Sequence, residues 1–357
     1  MSVSICVIGG AGLIGRRHVA HCLEEPTVVL SSVVEPTEAG AAWAREQGIA
    51  CYSGIAELLE AKRAGKVQVD GVILATPNAS HVPLATLLLE AGIPTLVEKP
   101  LSTDVLSGRA LVQVEKQSTA RILVGQHRRF NPYVVNAKRL ITSGALGQVL
   151  AVQGQWAALK PLQYFEPPAD WRRNLATGGG VVLINLVHDI DLFRYLFGNI
   201  TRVYCEMGHK TRGFDVEETG AITLRFASGT VGTFVFSDAA ASPASFESAT
   251  GENPLVPQLG QPIYNVLGTK GSFSFPELKL FRYTDDSQAW FDRLVIDPAS
   301  PIDPTPPFTH QLRHFVQVIR NELEPNCSAQ DALLTILTLE SILESAKTGL
   351  PVEIAES

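Results

Sequence analysis

Residues 3–35 read VSICVIGGAGLIGRRHVAHCLEEPTVVLSSVVE, and this stretch decides the fold. A short apolar run, Val3 to Ile8, passes into Gly10-Ala11-Gly12-Leu13-Ile14-Gly15. An amphipathic segment follows, then a second apolar run from Val28 to Val34 that closes on Glu35. Strand, glycine turn, helix and strand in that order, with an acid 20 residues beyond Gly15, make the pattern of a dinucleotide site. Gly10 is expected to form the tight turn, Gly12 to let the backbone approach a pyrophosphate, and Gly15 to let helix pack on strand. A helix that starts here turns free N–H groups, those of Leu13 and Ile14 included, and a partial positive charge toward phosphates. Glu35 is placed to accept hydrogen bonds from a ribose diol. Its charge opposes a 2′-phosphate, so the reading favours NAD over NADP.

Working outward, the alternation continues. Helical patterns cover 38–47 and 55–64, an apolar strand covers 71–75, and Thr76-Pro77-Asn78 breaks it. A helix over 80–91 leads to a strand at 94–97 that runs into Glu98-Lys99-Pro100; a helix at 105–117 and a strand at 122–125 follow. Continuous apolar strands separated by helices mean a parallel sheet covered on both faces. Residues 1–125 are therefore expected to form a doubly wound Rossmann domain of the α/β class. Beyond them the texture changes. Segments 149–156, 200–208, 219–226 and 230–236 read as strands, the last two joined by Ser228-Gly229, with further strands at 271–275 and 278–283. Helices are expected over 132–142 and 181–197. Residues 126–357 thus read as an α+β domain, an open and mostly antiparallel sheet with helices on one face. The uncovered face, expected to be apolar, predicts a homodimer or homotetramer through that sheet. Residues 239–262 read as a long loop that closes over a pocket or meets a neighbouring subunit. Helices over 309–320 and 329–347 close the chain.

Composition narrows the function classes. With 357 residues, 45% hydrophobic and 18% charged, the chain has enough apolar surface for two well-packed domains. A net charge of −7 argues against nucleic acid or an anionic membrane as the main partner. The five cysteines, Cys6, Cys22, Cys51, Cys205 and Cys327, form no CxxC pair, which fits reduced thiols in a cytoplasmic protein with no zinc site. The first strand begins within three residues of the N-terminus, so no signal peptide is expected. No apolar run reaches the ~18 residues of a membrane span.

Glu98-Lys99-Pro100 falls at the C-terminal end of a parallel strand, where open α/β sheets bind ligands. A lysine there can stabilise charge on a substrate oxygen; taken alone it reads first as a surface lysine tied to Glu98. The wider pattern adds Ala75-Thr76-Pro77-Asn78-x-x-His81, Arg129-Phe130-Asn131-Pro132, Trp171-Arg172, Gly178-Gly179-Gly180, His188-x-x-Asp191 and Ser345-x-x-Thr348-Gly349. Together, over essentially the whole chain, these resemble the Gfo/Idh/MocA family, the glucose–fructose oxidoreductase and inositol dehydrogenase group. The resemblance implies Lys99 and His188 as catalytic residues. It implies that Thr76, Pro77, Asn78, His81, Glu98 and Lys99 join the glycine loop and Glu35 around the cofactor. Arg129, Trp171, Arg172 and Asn185, with Lys99 and His188, are the expected contacts to a small polyhydroxylated substrate.

One departure stands out. Family dehydrogenases carry an aspartate four residues before the histidine, and here that position is Ile184. Asn185 lies about 100° further round an ideal helix, so it reads as a substrate contact and not as a replacement acid. His188 is flanked by Asp189 and Asp191, and His310 and His314 are i,i+4, but neither group has a third ligand at suitable spacing; no metal is expected. The expected activity is hydride transfer between nicotinamide and a secondary alcohol or ketone of a sugar, sugar derivative or cyclitol. Two alternatives stay open: a non-catalytic nucleotide sensor of the same fold, and a dihydrodiol or small-carbonyl dehydrogenase.

Overall fold

The computed structural model describes residues 2–284 and 290–355. The chain packs into two compact units, residues 1–131 with 305–336, and residues 132–304 with 337–357.

In the first unit the expected alternation forms β1 (Val3–Ile8), α1 (Leu13–Glu24), β2 (Val28–Val34), α2 (Glu38–Glu46), β3 (Cys51–Tyr52), α3 (Ile55–Arg63), β4 (Gly71–Leu74), α4 (His81–Glu90), β5 (Thr95–Glu98), α5 (Val105–Gln117) and β6 (Ile122–Gly125). The six strands lie in the order β3-β2-β1-β4-β5-β6, every pair parallel. Strands β1, β4, β5 and β6 are buried along their whole length, as helices on both faces require. The order reverses between β1 and β4, and that reversal opens a crevice beyond the strands' C-terminal ends.

The sequence reading assigns everything after residue 125 to the second domain. The packing divides the chain differently, because α9 (Pro307–Ile319) carries Leu312, Phe315, Val316 and Val318 into the first unit's core beside Ile5, Val7, Ile73 and Leu96. Each such buried side chain contributes about 1.5–3 kcal/mol, enough to bring a distant segment back.

The second unit begins with α6 (Pro132–Thr142) and β7 (Val149–Ala157), then α7 (Val187–Phe197), β8 (Ile200–Met207), β9 (Thr219–Phe226) and β10 (Val231–Ser237). After α8 (Phe246–Thr250) come β11 (Tyr264–Gly268), β12 (Gly271–Phe275), β13 (Leu280–Arg282) and β14 (Val295–Asp297). Helix α10 (Ala329–Thr348) and β15 (Val352–Glu353) complete the chain. The sheet has nine strands in the order β14-β13-β12-β11-β7-β10-β9-β8-β15, antiparallel except where β7 meets β10. Burial alternates along β9 and β10, so one face is covered and one is open. On the covered face Phe193 of α7 meets Phe234 and Tyr264 edge-on, with ring centroids 5.3 and 5.2 Å apart. The open face is mixed: Val231, Val235 and Leu267 alternate with Gln153, Thr223, Arg225 and Thr233. It is less apolar than expected. Within residues 239–262, expected as one long loop, α8 buries Phe246 and Ala249 in the unit's core, and Phe246 stacks on Phe275.

All five cysteines are free thiols. Among the described residues no helix is long and apolar enough to cross a membrane.

Candidate active site

The nucleotide half of the site is built by backbone. Gly9, at φ +81°, makes the turn out of β1, the role expected of Gly10. Gly10 instead lies against Val33, where a Cβ would come within 2.8 Å of Val33 Cγ1. Gly15 has no alternative, since a Cβ there would stand 1.9 Å from the Gly9 carbonyl oxygen. The α1 N-terminus is therefore drawn tight against the end of β1, with Gly12, Leu13 and Ile14 exposed. Its first N–H groups have no partner within the helix. Glu35 is 8% exposed at the end of β2, and its Oε1 accepts the Ala11 N–H at 2.5 Å. Arg16 Nε donates to the Ala11 carbonyl at 2.9 Å and its guanidinium covers Trp43. A side-chain-free cradle, an open helix start and a carboxylate at the loop's edge fit a dinucleotide with an unphosphorylated ribose.

Thr76 is half-buried, and Pro77 and Asn78 are exposed at the end of β4. Two residues expected around the cofactor are structural instead. His81 is fully buried, with Nδ1 2.7 Å from the Pro100 carbonyl and Nε2 2.9 Å from the Thr76 carbonyl. It ties the turn after β4 to the turn after β5. Glu98 points inward: His18 Nε2 is 2.7 Å from Oε1, and the Lys99 N–H donates to Oε2 at 3.2 Å. Burial alone would raise the Glu98 carboxyl, but the bond to His18 and the charges of His18, His127 and Lys99 hold it below its ordinary value. The half-buried Lys99 thus leaves a strand end whose acid is already committed. Arg129 is the third correction. Its side chain is 1% exposed and donates to the Asn326 carbonyl at 2.7 Å and to Asp331 at 2.6 Å, so it holds the returning segment and not a substrate.

The residues expected to meet substrate, other than Lys99 and Arg129, lie in the second unit, where side chains do the building. Residues Val182–Leu186 form a π-helical turn ahead of α7, where a continuous α-helix was expected. The wider turn changes the faces on which Ile184 and Asn185 lie relative to His188, and such turns concentrate at functional sites. The glycine run before it has a steric cause. A Cβ on Gly180, at φ +97°, would sit 2.4 Å from Glu217 Oε1, and that oxygen accepts the Val182 N–H at 2.8 Å. Glu217 therefore caps the turn from a distant segment, and burial raises its carboxyl above the ordinary value.

His188 is 8% exposed, with Nδ1 buried. Ile184 and Asn185 are half-buried. Asn185 Oδ1 accepts from Lys160 Nζ at 2.6 Å. Arg172 lies 3.9 Å from the Tyr164 ring centroid and donates to the Tyr164 carbonyl at 3.0 Å, with the 40%-exposed Trp171 ring beyond it. Lys160 Nζ sits 4.6 Å from the same Tyr164 ring. Asn185, Arg172 and Trp171, expected from sequence, are thus joined through Lys160 and Tyr164, which the sequence reading missed. Neither sits in a recognisable motif. Asp189 is turned to the core, where the Tyr264 hydroxyl donates to it, and Asp191 is 1% exposed. His314 Nε2 accepts the Asn326 N–H at 3.0 Å. Among the described residues no three potential ligands converge on a metal position.

Comparison with known proteins agrees with both halves. Residues 3–126 match the model described as an oxidoreductase family with an NAD-binding Rossmann fold, and residues 134–274 match that of the GFO/IDH/MocA C-terminal domain. An inositol 2-dehydrogenase of Corynebacterium glutamicum is 35% identical over 209 residues, which is 56% of this chain and 56% of that protein. A scyllo-inositol 2-dehydrogenase (NAD(+)) of Bacillus subtilis is 26% identical over 98% of this chain and 96% of its own length. In fold, the chain is similar to the WlbA dehydrogenase of Bordetella pertussis, solved with NADH and UDP-GlcNAcA. That likeness has a TM-score of 0.75 at 20% identity, with 100% of each chain covered.

Proposed function

Because the chain belongs to the GFO/IDH/MocA oxidoreductase family and has its NAD-binding Rossmann domain, we propose that it is an NAD-dependent dehydrogenase or reductase. Its substrate on this reading is a small polyhydroxylated compound, a sugar, sugar derivative or cyclitol, of which one CH–OH group is oxidised or the matching ketone reduced. The observation that carries the reading is Lys99, presented at the end of β5 by a buried acid that is already paired with His18. NAD, when bound, supplies the hydride acceptor. The glycine loop and the α1 N-terminus hold its phosphates, and Glu35 reads its ribose. Lys99 Nζ donates to the substrate oxygen and stabilises negative charge there. With Nδ1 buried, His188 takes up the hydroxyl proton at Nε2 and returns it in the reverse direction.

Replacing Lys99 or His188 by Ala should lower kcat by about 10²–10⁴-fold while NADH affinity stays within a few-fold. Steady-state kinetics with sugars and inositols, beside NADH fluorescence titration, separates the two quantities. Near-normal kcat in His188→Ala would move the proton to another group. The open face of the nine-stranded sheet is, on the same reading, a self-association surface for a dimer or tetramer. A single monomeric species by light scattering at micromolar concentration would overturn that. The five free thiols support a cytoplasmic location.

A further inference from the structure

Lys160 follows β7, and its backbone N–H is pinned by the Asp238 carbonyl at 2.9 Å. Its side chain is 10% exposed and enters a cluster made wholly by the second unit. Nζ reaches Asn185 Oδ1 at 2.6 Å and Asp238 Oδ2 at 3.5 Å, with the Tyr164 and Trp156 rings 4.6 and 5.5 Å away. The acceptors here are already occupied. Asp238 is shared with Arg212. Glu218 accepts from the Thr211 N–H and hydroxyl and from the Arg212 N–H. Glu247 accepts from Trp156 Nε1 at 3.1 Å. Asn185's oxygen is taken by Lys160 itself. That bond also fixes which way the amide points, so its NH₂ end is the one left for a ligand.

Donor capacity remains on the third N–H of Lys160, the Asn185 NH₂ and the Arg172 guanidinium, and behind them on Arg212, whose Nε and Nη1 are buried without a hydrogen-bond partner among the described residues. Lys160 and Arg172 both rest against the single Tyr164 ring. A wall of donors and aromatic faces, with its carboxylates engaged, selects a ligand that brings acceptors and negative charge. We propose that Lys160, the Asn185 amide and Arg172 form a subsite for the carboxylate of an acidic substrate, a polyhydroxy acid of the uronate or aldonate type. This rests on the oxidoreductase reading above and narrows its substrate class.

The ionisation of the cluster agrees. Burial lowers the Lys160 ammonium to about 8, outweighing the adjacent Asp238, and the charge of Arg212 lowers it further. Burial likewise raises Asp238 despite two cations, so desolvation outweighs pairing on both partners. Lys160 therefore has an uncompensated preference for a further anion.

The test uses the full-length protein with saturating NADH and measures binding of D-glucuronate, D-gluconate and D-glucose by calorimetry at matched ionic strength. At least one of the two acids should bind at least tenfold more tightly than glucose. Lys160→Met should erase that preference, and Lys160→Arg should keep part of it. Neither variant should alter NADH affinity. Should Lys160→Met fail to fold, the wild-type pH profile serves. The groups facing Lys160 are Asp238, Arg212, Glu247, Tyr164, Asn185 and Arg172. Of these groups and Lys160 itself, Lys160 loses charge near pH 8, so acid affinity should fall as pH rises through that value while glucose affinity holds. Glucose bound as well as both acids, no acid bound above a sodium chloride control, or equal losses for acid and glucose in Lys160→Met, each overturns the proposal. Turnover of neutral polyols without acid binding defeats the subsite and leaves the oxidoreductase reading. Acid binding with no turnover of any substrate does the reverse.

Discussion

Between β1 and α1 the protein makes its nucleotide half from glycines 9, 10, 12 and 15, where the absence of side chains is the functional property. Around the π-helical turn the proposed substrate subsite is made from side chains: Lys160, Tyr164, Arg172 and Asn185 reach one another from separate segments, and Glu217 holds the Val182 N–H. The first construction tolerates almost no change at Gly9, Gly10 and Gly15, where an added Cβ meets backbone or a buried side chain. The second is the opposite: its scaffold can stay fixed while a few side chains change what it accepts. A common cofactor and divergent substrates follow from that contrast.

Paired glycine substitutions test the contrast most severely. Gly15→Ala, with its Cβ driven into the Gly9 carbonyl, should weaken NADH binding by about 100-fold, at the upper end of the 1–3 kcal/mol that overpacking costs. Gly180→Ala should push Glu217 off the Val182 N–H and misplace His188, lowering kcat by about 100-fold with NADH affinity nearly intact. Fluorescence titration of NADH into both variants reads the difference. Equal losses of NADH affinity would mean the two halves are not separable in this way. A milder change addresses the cofactor side alone. Wild-type protein should favour NAD in kcat/KM, and Glu35→Ser should narrow that preference by about 10–100-fold by removing a charge that opposes a 2′-phosphate. A wild-type preference for NADP would remove Glu35 from its assigned role.

The smallest effect concerns acid stability. Glu98's folded carboxyl lies below its ordinary value, so its contribution is complete at neutral pH and is lost as pH falls through that lowered value. In Glu98→Gln the gap between stability at pH 7 and in the acid range should shrink by about 1 kcal/mol, read by urea unfolding. An unchanged acid limb would show that Glu98 is not held as an anion by His18.

What the sequence made legible follows the same division. Continuous apolar strands, glycine spacing and a terminal acid report local geometry, so β1 through β6 and the cradle could be read directly. His81, Glu98 and Arg129 could be identified as significant but not assigned correctly. A polar residue that anchors two turns and one that touches a cofactor have the same one-dimensional signature, and only burial separates them. Lys160 was invisible because its partners, Asn185, Tyr164 and Asp238, are scattered in the sequence and share no period. The π-helical turn was read as α because its residues are ordinary helix formers, and Glu217, which accepts the Val182 N–H, comes 31 residues after Leu186. Residues 239–262 read as one unbroken loop because small and polar residues surround Phe246, whose burial cannot be seen from composition.

The return of residues 305–336 to the first unit has a consequence for how the molecule comes into being. A chain emerging from the ribosome presents all six Rossmann strands long before Leu312, Phe315 and Val316 exist to cover one side of them. Arg129 waits equally long for Asn326 and Asp331. Until then only part of that face has its cover, Val19 and Cys22 of α1 and Ala44 of α2, and transiently exposed apolar surface of this kind is prone to aggregation. The unit that is easiest to read at the start of the sequence is one whose core cannot be finished until residues 305–336 have been made.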